Sequence, residues 1–167
     1  LAEELLKANG KEIDENLLTF VSFATVADVV PLVGPNFKMA RKGLELLRLS
    51  PPLGIKALAE AGGVSSFTGY AFGWQLGPRI NVAGRIDCPV PAYRLLSTKD
   101  EAVAKEIAST LNLMNEKRRA LLEEAVDECL DLYDGSDFPF LTGDYQGGIV
   151  GLIAGRIARK VMRPVLV

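Results

Sequence analysis

The sequence predicts an α/β fold that is mostly helical and ends in a short β-α-β unit. From residue 99 to about 133, apolar residues follow the helical period over a long stretch. A mostly apolar segment with small residues, 15–30, is typical of a buried helix. Near the end of the chain, a glycine-led helix over about 147–161 lies between apolar runs at 138–141 and after Pro164. This order predicts two parallel strands joined by a right-handed crossover.

The other elements follow in chain order from local signals. The chain opens with a predicted helix that Gly10 ends. An amphipathic helix is expected over Phe37–Leu49, where two prolines follow, and a short helix over 54–63, where two glycines end it. Segment 65–87 is rich in glycine and aromatic residues and has no clear period. Its arginines are therefore expected in a glycine-rich loop.

The long helix has signals at both of its ends. Thr98 and Glu101 form an S/T-x-x-E pattern, which predicts a capping box, and Gly135 closes the helix. A helix of this length with a narrow apolar stripe and charges in mid-course suits a connector between two domains. A surface helix of a single domain explains the same pattern equally well.

Composition limits the functional classes. The 167 residues are 49% hydrophobic and 24% charged, as in ordinary globular proteins. A net charge of −2 gives no overall attraction to nucleic acid or to an anionic membrane, so any polyanion site must be a local patch. There is no histidine, which excludes imidazole chemistry by this chain alone.

Cysteine usage and hydropathy indicate a cytoplasmic protein without a membrane partner. Cys88 and Cys129 are far apart and lack CxxC spacing, so reduced thiols are expected. The apolar segment Leu17–Val33 is short for a bilayer and is interrupted by Asp28. The first residues lack a signal-peptide profile, and both ends are expected to be the edges of a fragment.

Asp28 stands in the apolar stretch "FATVADVVPLVG". A carboxylate in such surroundings is costly unless a positive group meets it. One interpretation is a structural ion pair with an arginine; the other is a ligand for a hard divalent metal. No further carboxylates cluster beside Asp28 in the sequence, so this pattern alone leaves both interpretations open.

A second candidate site lies in "GPRINVAGRID". Two guanidinium groups, Arg79 and Arg85, on a glycine-rich loop can bind a phosphate bidentately, and Asn81 between them can add an amide donor. Salt bridges to acidic helices are the alternative role of these arginines. Phe72 and Trp74, just before, are expected in the core, although one of them could stack on a base.

A third candidate site is the glycine-led helix in "YQGGIVGLIAGR". Gly147 and Gly148 are at its N-terminus, where free amides and the helix dipole attract anions. Gly148, Gly151 and Gly155 share one face and permit close approach, and Arg156 one turn further can reach a phosphate. Tight packing of the helix on a sheet would require the same glycines.

Together, these stretches resemble the RecJ family of single-strand-specific exonucleases, within the DHH phosphoesterases. The matching segments are "TVADVVPL", "GIKALAEAGG", "FGWQLGPRINVAGRID", "LNLMNEKRR" and "GGIVGLIAGRIARKVMRPV", in the family's order over essentially the whole chain. The resemblance implies that residues 1–97 are the C-terminal part of a DHH catalytic domain. It likewise implies that 98–135 are the connecting helix and 136–167 the N-terminal part of a DHHA1 domain.

The resemblance also assigns roles to residues. Asp28 matches the last ligand of a two-ion Mn²⁺ or Mg²⁺ centre, whose other ligands belong to upstream motifs that are not in this chain. Arg79 matches a contact to nucleic-acid phosphate, with Arg85 and Asn81 in the same motif. Gly148 and Arg156 match the DHHA1 motif that holds the DNA strand.

Two positions depart from the family pattern. Relatives have a histidine where this chain has Gln146, which can hydrogen-bond a phosphate but carries no charge. Many relatives have a serine where this chain has Gly155, which removes a hydroxyl donor.

The implied activity is metal-dependent 5′→3′ hydrolysis of single-stranded DNA in repair and recombination. Two ions would activate a water and stabilise the charge of in-line attack. The chain alone is expected to be inactive, because it holds one ligand. Single-stranded DNA is the expected partner, together with single-strand-binding protein or replication and repair factors. The alternatives are a DHH phosphodiesterase acting on short oligonucleotides and a non-catalytic replication scaffold.

Overall fold

The computed structural model describes residues 8–10 and 15–167, and over these ranges the protein is mostly helical. Residues 1–7 of the predicted helix before Gly10 lie outside the described residues. The α-helices of the described part, in chain order, are α1 (Glu15–Ala27), α2 (Gly34–Leu49), α3 (Leu53–Ala61), α4 (Gly77–Ile86), α5 (Val90–Ser97), α6 (Glu101–Asp131) and α7 (Gly147–Val161). A π-helical segment, Ala71–Leu76, leads directly into α4.

The predicted fold class is confirmed, with the β-α-β unit reduced to a single parallel bridge. Phe140 and Leu166 form this bridge on either side of α7. The amide of Leu141 donates to the carbonyl of Leu166 at 2.9 Å, and the amide of Leu166 donates to the carbonyl of Pro139 at 3.1 Å. The two apolar runs therefore pair in parallel, as the sequence predicts.

Helix α6 contributes to two hydrophobic cores. Its first half packs Ala104, Ala108 and Leu111 into the core built by α1–α5 and the π-helical segment. Its second half packs against α7 in a separate core, whose buried members are Leu122, Ala125, Val126, Cys129, Leu141, Ile149, Ile153 and Ile157. Between the two cores, the buried residue of α6 is polar Asn115.

Segment 77–86 is a helix, so the predicted glycine-rich loop is wrong. Pro78 lies in the first turn, where a missing N–H is tolerated. A Cβ on Gly77 would be 2.7 Å from the carbonyl oxygen of Phe72 and 3.0 Å from the Cβ of Ala27. Gly77 is therefore required for close packing between α1 and α4, not for the flexibility of a loop.

The N-terminus of α6 is capped by Asp100, not by the predicted Thr98–Glu101 box. The Asp100 Oδ1 accepts hydrogen bonds from the amides of Ala102 at 2.8 Å and Val103 at 3.1 Å. The Thr98 hydroxyl oxygen accepts from the amide of Asp100. Glu101 pairs instead with Lys105, one turn along the helix. The Asp100 carboxylate, two residues after Thr98, therefore accepts from the free amides in place of the Thr98 hydroxyl.

Replacing Asp100 with alanine should lower the free energy of unfolding by about 1 kcal/mol, because two amides of the first turn lose their acceptor. Urea denaturation followed by circular dichroism measures this change. Thr98→Ala is the matched control, since its hydroxyl binds one amide before the helix, and its effect should be smaller. The opposite order of the two effects would restore Thr98 as the cap.

None of the helices in the described ranges is long and apolar enough to cross a membrane.

Candidate nucleic-acid interface

A groove of about 550 Å³ lies between α4 with its preceding π-helical segment, the middle of α6, and α7. Arginines from all three elements line it, and none of the lining residues is acidic. These arginines are Arg79, Arg85, Arg118, Arg119, Arg156 and Arg159. Two aromatic side chains at the groove, Tyr70 and Trp74, are 67% and 72% exposed. In a chain with a net charge of −2, this is a local positive patch.

The floor of the groove comes from the polar gap in the buried stripe of α6. Asn115 is 3% exposed, and Arg118 follows it on nearly the same face of the helix. Neither the Asn115 Oδ1 nor the Arg118 Nε has a hydrogen-bond partner within the described residues. A buried acceptor and a buried donor are thus left unsatisfied at the floor, which is costly unless a ligand or water meets them.

The arginines repel one another. Burial lowers the pKa of Arg118, and the neighbouring charges of Arg85, Arg119 and Arg156 lower it further. The pKa of Arg79 is lowered by burial and by Arg119, and is partly raised by Glu116. Guanidinium groups stay protonated at neutral pH, so an anion would relieve both the partial burial and the mutual repulsion of these charges.

Neutral acceptors hold Arg79 in place. Its Nε donates to the Asn112 Oδ1 at 2.8 Å, and its Nη1 donates to the Gln75 carbonyl at 2.6 Å. Its Nη2 donates to the Gly62 carbonyl at 3.4 Å. A guanidinium has five N–H groups, so two remain for a ligand. The alternative of a salt bridge to an acidic helix is not found for Arg79 among the described residues.

The predicted residues in and just before α7 lie in three different places. Arg156 lines the groove, and Arg159 joins it one turn further along. Gln146 instead lines a different cavity of about 370 Å³, beside Asp144 and Tyr145. Gly148 packs against the end of α4, where the Arg85 Nη1 donates to its carbonyl at 3.2 Å. The partner of this glycine is a helix rather than the sheet expected from the sequence.

Asp28 lies just after the end of α1, and its expected burial among apolar side chains is wrong. The residue is exposed. Helix α1 ends at Ala27, and Val29 has a left-handed backbone with φ +56°, so the chain turns outward at Asp28. Among the described residues, no ion pair includes Asp28, which removes the arginine-partner interpretation there.

The cavity that Asp28 lines adjoins the groove. Asp28 lines a mostly apolar cavity of about 440 Å³ together with Phe20, Tyr93 and Asn81. Ala27 and Asn81 line both this cavity and the groove. The described residues contain no group of three or more acidic, histidine or cysteine side chains that could hold a metal ion. Asp28 can therefore supply one oxygen ligand, and a complete centre needs others.

Several residues of the groove were not predicted from the sequence as site residues. Phe72 is fully buried as expected, whereas Trp74 is exposed at the groove. Residues two apart on a helical segment face different directions, which explains the difference. Arg118 and Arg119 stand in the "NEKRR" stretch, whose mid-helix charges were a visible signal. Arg159 follows Arg156 at a spacing of three, which is a weaker signal.

Comparison with known proteins identifies relatives over the whole chain. The chain is 31% identical over 174 residues to the single-stranded-DNA-specific exonuclease RecJ of Bacillus subtilis, a match that covers 100% of this chain and 22% of that protein. It is 35% identical over 145 residues to the Thermus thermophilus protein of the same name, covering 84% of this chain and 21% of the relative. No protein-family model matches the chain.

Solved structures agree with the sequence comparison. The crystal structure of RecJ from Thermus thermophilus in complex with Mg²⁺ is similar to 98% of this chain, with a TM-score of 0.89 at 30% identity, and the match covers 27% of that chain. An exonuclease RecJ bound to manganese gives a TM-score of 0.86 at 30% identity over 98% of this chain and 43% of the other. The chain thus spans about a fifth of the length of the two relatives above, at 22% and 21%. In sequence and in fold, this segment belongs to the RecJ family.

Proposed function

We propose that this chain is the strand-holding part of a RecJ-type exonuclease that degrades single-stranded DNA in the 5′→3′ direction during repair and recombination. The observation that carries the proposal is the groove whose arginines have no acidic neighbour among its lining residues. Phosphates of a polynucleotide would satisfy these cations and release counterions from the DNA. The related proteins named as single-stranded-DNA-specific exonucleases support the same substrate.

The groove also suits a single strand because of its aromatic side chains. Bases of a single strand are free to stack, and stacking on Trp74 or Tyr70 would not depend on base identity. Both side chains are exposed, so their rings are accessible. Arginines and exposed aromatic rings at the same groove are the two elements that sequence-independent single-strand binding requires.

We further propose a division of the chain around this groove. Residues 1–97 would be the end of the DHH catalytic domain, 98–135 the connecting helix, and 136–167 the start of the DHHA1 domain. The groove takes Arg79 from the first part, Arg118 from the second and Arg156 from the third. A strand lying in it would contact all three parts at once.

Asp28 would contribute one carboxylate to a centre for Mg²⁺ or Mn²⁺, the ions bound in two related crystal structures. Bound there, such ions would supply a nucleophilic water and charge stabilisation for phosphodiester hydrolysis. The residues of this chain would bind and orient the strand. Arg79, held by three acceptors, would orient a phosphate beside Asn81, at the boundary between the groove and the cavity of Asp28.

Strand binding can be followed through Trp74, the single tryptophan of the chain. Titration with oligothymidylate in the presence of EDTA should change its fluorescence with a saturable curve, and the affinity should fall steeply as salt rises. Trp74→Ala should weaken binding about tenfold to a hundredfold, because one stacked base contributes about 1–3 kcal/mol.

Two controls make this test specific. Trp74→Phe should keep most of the affinity, because it keeps an aromatic face. Phe138→Ala removes an exposed aromatic side chain, 59% accessible, that does not line the groove, and should leave binding unchanged. Equal effects of Trp74→Ala and Phe138→Ala, measured by fluorescence anisotropy of a labelled strand, would contradict stacking in the groove.

A further inference from the structure

Gly148 and Arg85 form a contact that joins two walls of the groove. A Cβ on Gly148 would overlap with the carbonyl oxygen of Arg85 and would lie 2.9 Å from its Cα. In return, the Arg85 guanidinium donates to the Gly148 carbonyl at 3.2 Å. Backbone therefore meets backbone at the end of α4 and the beginning of α7, and a side chain ties the same two residues together.

The direction of the two helices favours this contact. Arg85 is in the last turn of α4, where carbonyl groups lack helical partners, and Gly148 is in the first turn of α7. The negative end of one helix dipole thus meets the positive end of the other. Nothing but glycine allows so close an approach here, because the opposing atom is backbone and cannot rotate away.

We infer that Gly148 is a positioning residue: its missing side chain sets the separation of α4 and α7 and therefore brings the arginines of both helices to one strand. Arg156 and Arg159 are about two and three helical turns from Gly148 on α7, and Arg79 is on α4. A displacement at the contact between Gly148 and Arg85 moves the arginines of α7 away from those of α4. This inference rests on the proposed strand binding and gives Gly148 a role without direct contact to the strand.

The chain contains a matched control on the same helix. Gly151 has no atom within 4 Å of an added Cβ. Gly151→Ala and Gly148→Ala add the same methyl group to the same helix, and both raise helix propensity. Only Gly148→Ala forces the backbone of α4 to move, so a difference between the two variants reports the contact.

The first measurement is strand binding by the 167-residue chain in EDTA. At about 0.1 M salt, Gly148→Ala should bind oligothymidylate at least tenfold more weakly than wild type, and the slope of log affinity against log salt should fall by about 1–2 because one or two arginines no longer reach phosphate. Gly151→Ala should match wild type in both. A merely destabilised variant, measured well below its melting temperature, would keep the wild-type slope.

The second measurement needs no DNA. Cys88 is exposed near the end of α4, Cys129 is buried, and Gly155 on α7 has open space for a side chain. Spin labels at Cys88 and at Gly155→Cys report the separation of the helices by double electron–electron resonance. Gly148→Ala should lengthen or broaden that distance, whereas Gly151→Ala should not. Arg85→Ala removes the guanidinium but keeps the backbone contact, so it should keep the wild-type distance, and it tests the inference even if Gly148→Ala does not fold.

The outcomes separate the two proposals. Absence of strand binding by the wild-type chain would refute the proposed function, and the distance measurement would still test the contact. Wild-type affinity, slope and distance in Gly148→Ala would overturn the positioning role while leaving the groove intact as a binding site. A distance distribution in Arg85→Ala broader than that of the wild type would overturn it as well, because the guanidinium and not the missing side chain would then set the separation.

Discussion

Asp28→Asn should abolish DNA cleavage by the full-length RecJ-type protein in the presence of Mg²⁺ or Mn²⁺ while leaving single-strand binding within about twofold. A metal centre supplies several kcal/mol of charge stabilisation. Each 1.36 kcal/mol corresponds to about tenfold in rate, so a loss of more than about a thousandfold is expected. The amide keeps the shape of the side chain but is a weaker ligand for a hard cation.

The exposure of Asp28 allows a loss of activity to be distinguished from a loss of fold. In the 167-residue chain Asp28 is exposed and has no ion-pair partner within the described residues, so the substitution should change the free energy of unfolding of this chain by no more than about 0.5 kcal/mol. A loss of activity would then not be a loss of fold. Cleavage is measured by release of nucleotides from a 5′-labelled strand, and binding by anisotropy in EDTA.

Asp127→Asn is the matched control. Asp127 is an exposed aspartate on α6 that lines none of the cavities described above, and its replacement should leave both cleavage and binding unchanged. Cleavage that survives in Asp28→Asn would refute the role of Asp28 as a ligand. Strand binding lost in parallel with cleavage would show that the carboxylate serves the fold or the groove instead.

The sequence was sufficient to predict the elements that depend on local pattern. Helix α6 is long and its apolar residues keep one period, so its existence did not depend on tertiary contacts. Its cap was misplaced by two residues, because Thr98 and Asp100 are both good caps and only the geometry of the chain decides between them. Boundaries of this kind depend on which oxygen reaches the free amides.

Helix α4 shows where local signals mislead. Glycine and proline in "GPRINVAGRI" are typical of a loop, yet Gly77 serves close packing against Ala27 and Pro78 occupies a first turn. The reason for Gly77 is in another element, α1, about fifty residues earlier in the chain. Sequence pattern alone could not supply that neighbour.

The set of arginines that lines the groove could not be predicted from the spacing of residues in the sequence. Its arginines come from three helices, and single residues of each were indistinguishable from surface charges until the helices packed. Asp28 was misjudged for a related reason. Apolar neighbours in sequence suggested burial, but α1 ends just before it and the left-handed turn at Val29 carries it to the surface.

The buried stripe of helix α6 contains one sequence signal that indicates the position of the groove. One buried stripe of this helix contains Ala104, Ala108, Leu111, Asn115 and Leu122. Of these five residues, only Asn115 is polar. A polar residue on a buried stripe indicates the place where the two cores separate. Its side chain there needs a hydrogen-bond partner instead of an apolar contact. Arg118, one turn later, marks the same place.

Arg118→Met should therefore weaken strand binding and stabilise the unliganded chain. Methionine keeps the length and the packing of the aliphatic part of the side chain but removes its charge. The unsatisfied Nε and the repulsion from Arg85, Arg119 and Arg156 disappear together, so the free energy of unfolding should rise by about 1 kcal/mol. Affinity for oligothymidylate should fall about tenfold or more, because a hydrogen bond to a charged group contributes about 1.5–3 kcal/mol.

The opposite signs of the two effects distinguish a binding residue from a structural one. Arg41→Met is the control, since Arg41 is an exposed arginine paired with Glu45 at 3.1 Å on α2, and it should lose at most about 0.5 kcal/mol of stability with no effect on binding. The salt slope of binding should drop by about 1 in Arg118→Met alone. If Arg118→Met instead destabilised the chain and left affinity and slope unchanged, the charge in the groove would serve the packing of α6 and not a polyanion.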